Sequence, residues 1–280
     1  MKKFPWLHIL LFLLTFISTL AVGVEHAGVG LLSIVDHPGN ILKGFPFSIT
    51  LLVILLSHEF SHYFFSRHHH VEATLPYFIP APTLFGTLGA FIKMKSPITT
   101  KNALMDIGAS GPIAGFILSV IACVIGLSLS RVMPVVKEPG LMIFGDSLLF
   151  TALSKLILGV IPDNQDIVLH PIAFAGWIGF FVTSMNLLPI GQLDGGHISY
   201  ALLGQRHHLL SKILIIVLVL LGVLVFEGWI VWAILLIILG IKHPPILEPY
   251  IPLDEGRKAA GLLSLVIFVL TFIPVPITIL

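Results

Sequence analysis

The chain has 280 residues, of which 56% are hydrophobic and only 10% charged, and its mean hydropathy is +1.04. A soluble domain carries about a quarter charged residues, so a soluble enzyme and a disordered chain are both excluded, and the class is integral membrane protein. Fifteen Lys and Arg against fourteen Asp and Glu leave a net charge of +1, with no basic excess for a nucleic-acid partner.

A bilayer core needs about twenty mostly apolar residues per helix. The first such run, Leu7 to Val24, follows Lys2 and Lys3. With Ala21-Val22-Gly23 it also fits a secretory signal peptide, although its apolar part is longer than a usual signal core and favours a retained helix. Phe45 to Phe65 is the second run and holds His58, Glu59 and His62. Leu75 to Met94 contains Pro76, Pro80, Pro82, Gly86 and Gly89, which oppose a helix; a hairpin dipping into the membrane and an interfacial loop are both open.

The third run, Leu104 to Ser130, has Asp106 at its start and Gly111, Pro112 and Gly115 in its first half. The connection Arg131 to His170 includes a semi-apolar patch, Leu141 to Val160, suited to the membrane interface, and is too short for an inserted folded domain. Ile172 to Leu193 is fourth, uncharged and then broken at Pro189-Ile-Gly-Gln-Leu-Asp-Gly-Gly196. Between Lys212 and Lys242 the only charge is Glu227. As one helix this stretch is about 43 Å long at 1.5 Å per residue, against a core of ~30 Å; split at Glu227-Gly228 it makes two short helices. Ala259 to Leu280 is the last run. The expectation is an all-α polytopic membrane protein with six or seven transmembrane helices, forming one domain over 1–280. Lys2, Lys3, Arg67, Lys93, Lys95, Lys101, Arg206 and Lys212 flank the spans on one side, which the positive-inside rule makes cytoplasmic.

Cys123 is the only cysteine, so neither an intrachain disulfide nor a cysteine-based metal site can form, whereas thirteen histidines are available. His58-Glu59-Phe60-Ser61-His62 is a His-Glu-x-x-His motif: imidazoles at i and i+4 share one helical face and can hold one Zn²⁺. Glu59 beside them suits proton transfer as general base and acid. An ionisable residue at the centre of a membrane helix costs about 2.5–3.5 kcal/mol on insertion scales, so this carboxylate needs a partner. A catalytic zinc takes three protein ligands. Asp194, the only acid of the fourth run, is the candidate third; alternatively it caps the helix that follows.

Taken together, Ser57-His-Glu-Phe-Ser-His62, Asn186-Leu-Leu-Pro-Ile-Gly-Gln-Leu-Asp194-Gly-Gly, Gly111-Pro-Ile-Ala-Gly115 and Phe85-Gly-Thr-Leu-Gly-Ala90 resemble the site-2 protease family of intramembrane zinc metalloproteases. The resemblance covers most of the chain. It implies a three-helix catalytic core, over approximately 45–204, around one Zn²⁺ held by His58, His62 and Asp194 with Glu59 as base and acid. It also implies a membrane-dipping β-hairpin at Leu75 to Met94, whose edge can pair with an extended substrate. Asn186 falls where the family binds substrate or stabilises an oxyanion; an interhelical hydrogen bond is the other reading. The chain has room for neither the PDZ domain nor the CBS pair of other members.

The expected activity is hydrolysis of peptide bonds within transmembrane segments, with single-span membrane proteins as substrates and the lipid bilayer as surroundings. An ion path through a transporter or channel is the alternative, although the paired repeats common in transporters are missing. The short segment before the first span leaves no room for an organelle transit peptide, so the expected location is a prokaryotic cytoplasmic membrane, with the active site toward the cytoplasm. Arg67-His68-His69-His70 reads as a basic flank and His197 as structural or as a partner of a ligand carboxylate; Glu227 stays without a role.

Overall fold

A computed structural model describes residues 4–134, 142–162 and 164–279, so Lys2, Lys3, Leu141 and Leu280 lie outside the described residues. Helix α1 (Trp6–His26) is apolar to its last turn. A short helix α2 (Ser33–Asp36) and a 3₁₀ turn (Pro38–Gly44) lead into α3 (Phe45–His68). Pro46 lies in the first turn of α3, where its missing N–H leaves no bond unmade. The helix stops at His68, followed by His70 in the left-handed region at φ 58°.

Strands β1 (Tyr77–Pro80) and β2 (Thr87–Phe91) form an antiparallel pair in the register Tyr77↔Phe91, Phe78↔Ala90 and Pro80↔Thr87, with a bulge between Phe78 and Pro80. The pair packs along α1, where the Ser18 hydroxyl donates to the Gly86 carbonyl at 2.5 Å. Helix α4 (Lys101–Ser128) starts at Thr100, whose hydroxyl accepts the Ala103 N–H at 3.1 Å. Strands β3 (Arg131–Pro134) and β4 (Met142–Phe144), helix α5 (Leu148–Leu158) and strand β5 (Gln165–Val168) follow, with β3 antiparallel to β5.

The fourth expected run is shorter than its hydropathy suggests. Helix α6 (Pro171–Asn186) ends eight residues before Asp194, which starts α7 (Asp194–Leu203). Pro189 and Gly191, the latter at φ 56°, keep the backbone between them non-helical. A 3₁₀ turn (Gly204–Arg206) joins α7 to α8 (His207–Leu224), and Asp194–Leu224 together is long enough to cross a membrane. The ambiguous middle stretch is thus divided at Val225–Glu227: α8 begins five residues before Lys212, and α9 (Gly228–Leu239) is a separate short apolar helix. The last helix, α10 (Glu255–Thr271), ends well before the expected boundary because Pro274 and Pro276 follow, and β6 (Ile277–Ile279) pairs antiparallel with β4. Among the described residues, four runs have the length and composition to span a membrane: Trp6–His26, Pro38–His68, Lys101–Ser128 and Asp194–Leu224.

Helix α4 is the centre of the bundle and packs against α3, α6, α7 and α10. Its seam with α6 is built from small residues. A Cβ on Gly179 would lie 2.0 Å from the Ser119 hydroxyl, and one on Gly176 2.6 Å from the Cys123 sulfur. Close backbone approach of this kind drives helix association in lipid, where apolar burial gives no preference for one helix over another. On the far side of α6, Phe174 and Trp177 join Phe47 and Leu51 of α3 in the largest apolar cluster, and Trp177 donates to the Gly145 carbonyl at 2.7 Å. The outer faces are also apolar: Ile216 and Val223 of α8, Ile238 of α9 and Leu265 of α10 are all exposed. Such an exterior belongs in lipid, and the chain is a multi-pass membrane protein.

Gly176→Leu is expected to destabilise the detergent-purified protein by about 1–3 kcal/mol or more through overpacking, read as a lowered thermal midpoint. Gly39→Ala, in open space, is the control and leaves the midpoint unchanged.

Candidate metal centre

His58 and His62 are one helical turn apart on α3, so their rings lie one above the other on the face toward α4 and α7. Four atoms of three side chains converge there. His58 Nε2 is 3.1 Å from Asp194 Oδ2, His62 Nε2 is 3.3 Å from Asp194 Oδ1, and the two Nε2 atoms are 3.0 Å apart. The histidines are buried, at 4% and 5% exposure, and Asp194 is partly buried. Among the described residues, this is the group of histidines and acids whose ligand atoms lie within 4.8 Å of one another.

The protonation pattern tells what the cluster needs. His62 Nδ1 lies 2.7 Å from the Ile107 carbonyl; a carbonyl only accepts, so Nδ1 carries a proton and, in the neutral ring, Nε2 presents its lone pair. The Asp194 carboxylate also only accepts. His58 Nε2 faces both, with the Asn186 side-chain amide 3.3 Å away as a donor. Lone pairs gathered this closely repel one another unless protons or a metal cation lie among them. Tetrahedral zinc with bonds of about 2.0–2.2 Å places its ligand atoms roughly 3.3–3.6 Å apart, close to the separations found. His58, His62 and Asp194 therefore fit a zinc ion in number, donor type and spacing.

Close helix packing makes the room. A Cβ on Gly111 of α4 would fall 2.1 Å from His62 Nε2, so any larger residue there would fill the space the imidazole occupies. Ile107, one turn earlier on α4, supplies the carbonyl that orients the same ring. The capping alternative for Asp194 does not match its position: Leu193 precedes the helix, α7 has no side-chain cap, and the carboxylate of Asp194 turns to the two histidines instead.

Glu59 is next to His58 in the chain and 6% exposed. Its carboxylate faces the backbone of Ile92, the residue after β2, and lies near His58, His62 and Asp194. Asn186 is the last residue of α6 and meets His58. All five residues singled out from the sequence therefore gather at one place.

Other residues were less legible. His69, part of the basic flank, lies 2.7 Å from Asp106, which also receives Arg257 of α10 at 2.8 Å and 2.5 Å. This junction ties the end of α3 to the starts of α4 and α10. The Ile107 carbonyl has no side-chain signature, so only the Gly-Pro-rich start of α4 hinted at a close approach. His197 bonds to His243, and Glu227 is exposed in the turn between α8 and α9.

The sequence pattern of peptidase family M50 matches residues 46–226, a span that includes all five of these residues. The chain is 34% identical over 238 residues to the probable zinc metalloprotease EGY1, chloroplastic, of Arabidopsis thaliana, covering 82% of this chain and 43% of the relative. It is 28% identical over 251 residues to the probable zinc metalloprotease EGY2, chloroplastic, of the same plant, covering 88% and 44%. The rice probable zinc metalloprotease EGY1, chloroplastic, is 33% identical over 235 residues, covering 82% and 40%. The chain thus spans less than half the length of these relatives. With its candidate metal-binding group inside the matched span, the chain belongs to peptidase family M50, the family to which the site-2 protease resemblance points.

Proposed function

We propose that this chain is a zinc endopeptidase that hydrolyses peptide bonds within transmembrane segments of membrane-protein substrates, near the cytoplasmic side of the bilayer. The observation that carries the proposal is the convergence of His58, His62 and Asp194 beside the buried Glu59, inside a bundle with an apolar exterior. Family membership and the zinc metalloprotease names of the relatives support the same chemistry, and they disfavour the ion-path alternative.

Zn²⁺ held by His58, His62 and Asp194 would supply Lewis-acid polarisation of the scissile carbonyl and acidify water at neutral pH. Glu59 then removes a proton from the attacking water and returns it to the leaving amine, so that one water and one peptide bond become a carboxylate and an amine. The Asn186 amide, beside His58, is placed to donate to the oxygen that gains charge during attack. Strand β2 is proposed to receive the substrate. Its partner β1 covers one edge, leaving the other to pair with an extended segment, and the Glu59 carboxylate faces the residue that follows the strand.

Orientation rests on charge. Arg67 ends α3, Lys101 starts α4, Arg206 precedes α8 and Arg257 starts α10, and the Asp106 junction brings three of these helix ends together. His62 lies six residues before the end of α3, about 9 Å along the helix axis, which sets the centre close to this basic, cytoplasmic end.

Purified wild-type protein is expected to hold close to one equivalent of zinc and to cleave members of a panel of single-span membrane proteins. Glu59→Gln keeps the zinc and loses cleavage by at least 10²-fold, whereas Asp194→Ala loses both. Equal cleavage by wild type and Glu59→Gln, or no zinc in the wild type, overturns the reading. A second prediction concerns the strand. Leu88 has no register partner on β1 and is exposed; Leu88→Pro is expected to raise KM several-fold with zinc content unchanged. An unaltered KM removes β2 as the substrate edge.

A further inference from the structure

Asp194 occupies an insecure position. It is the first residue of α7, a helix with no side-chain cap, and the next two residues are Gly195 and Gly196. Each glycine costs a helix about 1 kcal/mol relative to alanine. Neither is replaceable here, because a Cβ on Gly195 would lie 2.0 Å from the Leu187 carbonyl and one on Gly196 2.4 Å from the Gly191 carbonyl. The turn that carries the third candidate ligand is therefore tightly packed but intrinsically prone to fray.

The fourth residue of that turn is His197. Its backbone N–H donates to the Leu193 carbonyl at 2.9 Å, closing the turn, and its Cβ packs against Gly108 of α4, next to the Ile107 carbonyl that orients His62. The His197 ring does not stay within α7. Its Nδ1 lies 2.7 Å from Nε2 of His243, a buried residue in the loop after α9. His243 Nδ1 in turn lies 2.6 Å from the Pro244 carbonyl, which can only accept, so Nδ1 of His243 bears its proton. Burial holds the His243 imidazole down to about 3, hence neutral. Its Nε2 is then an acceptor, and His197 Nδ1–H must donate to it.

The loop that holds His243 is fixed elsewhere. Leu247 and Glu248 donate their backbone N–H groups to Ile98 and Thr99, just before α4, at 3.3 Å and 2.8 Å. The His243 ring also stacks on Tyr200 of α7 at 4.3 Å between centroids. Nearby His207 takes no part in the tether, since both of its nitrogens are engaged by Ser199 and Ser211.

We infer that His243 is a positioning residue for the metal centre: through the His197 hydrogen bond it anchors the first turn of α7, and so the Asp194 carboxylate, to the loop braced against the start of α4. His243 lies beyond residues 46–226, the span matched by the family. The inference rests on the proposed role of Asp194 as a zinc ligand, and its test separates the two.

Zinc affinity of the purified full chain, measured by chelator competition, is compared for wild type, His243→Phe and His243→Gln. Phenylalanine keeps a ring on Tyr200 without the acceptor, whereas glutamine can accept from His197. His243→Phe is expected to bind zinc 10- to 100-fold more weakly, as for lost partners of metal ligands, with kcat lowered and KM unchanged. It also shifts the visible spectrum of the cobalt-substituted protein, and glutamine restores most of the affinity. Undiminished affinity in His243→Phe, or glutamine no better than phenylalanine, overturns the inference while leaving the zinc site intact. A wild-type chain that binds no zinc overturns the site itself. One measurement needs no variant: ¹⁵N NMR of the wild-type imidazoles should find both His197 and His243 protonated at Nδ1, and an Nε2–H tautomer at His197 overturns the tether.

Discussion

Three lone-pair-bearing side chains whose polar atoms approach to 3.0–3.3 Å inside an apolar bundle are the constraint on which the rest of this structure depends. In water such a group would disperse or bind protons. Among helices with little water and few charges it must be held by the fold and balanced by a cation, since each ionisable residue in a membrane helix costs about 2.5–3.5 kcal/mol when left without a partner. The His62 ring shows how the fold meets this demand: the Ile107 carbonyl accepts a hydrogen bond from Nδ1–H and thereby turns Nε2 to the cluster. A backbone carbonyl is a firm anchor, because its place is set by the helix and not by a rotamer.

The architecture around the cluster follows from the same need. One helix can offer two imidazoles at i and i+4, but a third ligand on the same face would crowd them, so it must come from another segment. The break between α6 and α7 puts Asp194 at a helix start, where its side chain meets α3, and frees the preceding backbone to turn sharply at Gly191. Helix α4 then has to pass very close to α3, which explains the absence of a side chain at Gly111. At the basic end, Asp106 fastens His69 and Arg257, so α3, α4 and α10 are joined one turn or two below the metal centre. Small residues and charged junctions thus do for this bundle what a continuous apolar core does for a soluble one.

Residues that act through local chemistry were legible in the sequence. The His-Glu-x-x-His spacing carries its own geometry, and Pro189, Gly191 and the paired glycines announce the broken backbone that delivers Asp194. Whether Asp194 caps a helix or ligates a metal is not legible in its own neighbours, because both uses favour the same residue at a helix start; what supports the ligand reading lies on α3, more than a hundred residues earlier, where its carboxylate meets two histidines. Helix ends were harder. Hydropathy runs on past Asn186 and Thr271, yet prolines cut both helices short, and α8 reaches back through a polar turn that hydropathy read as a boundary. The His69–Asp106–Arg257 junction and the His197–His243 pair leave no trace in any local pattern, since their members lie far apart in the chain and each reads alone as a flank or a core histidine.

The strand pair and the metal centre also belong together on physical grounds. A peptide bond in a transmembrane helix is closed to attack while its carbonyl accepts an intrahelical hydrogen bond, and unwinding it in lipid strands N–H and C=O groups at several kcal/mol each. A protease working there has to offer those groups new partners at the moment it exposes the scissile bond. On the proposed reading, the open edge of β2 offers them as a row, and the row ends at Ile92, whose backbone the Glu59 carboxylate faces. A residue of substrate paired near that end would be extended, satisfied along its backbone and within reach of the base. An exposed strand edge and a buried carboxylate thereby become halves of one requirement: hydrolysis in a membrane needs a place where a helix can stop being a helix.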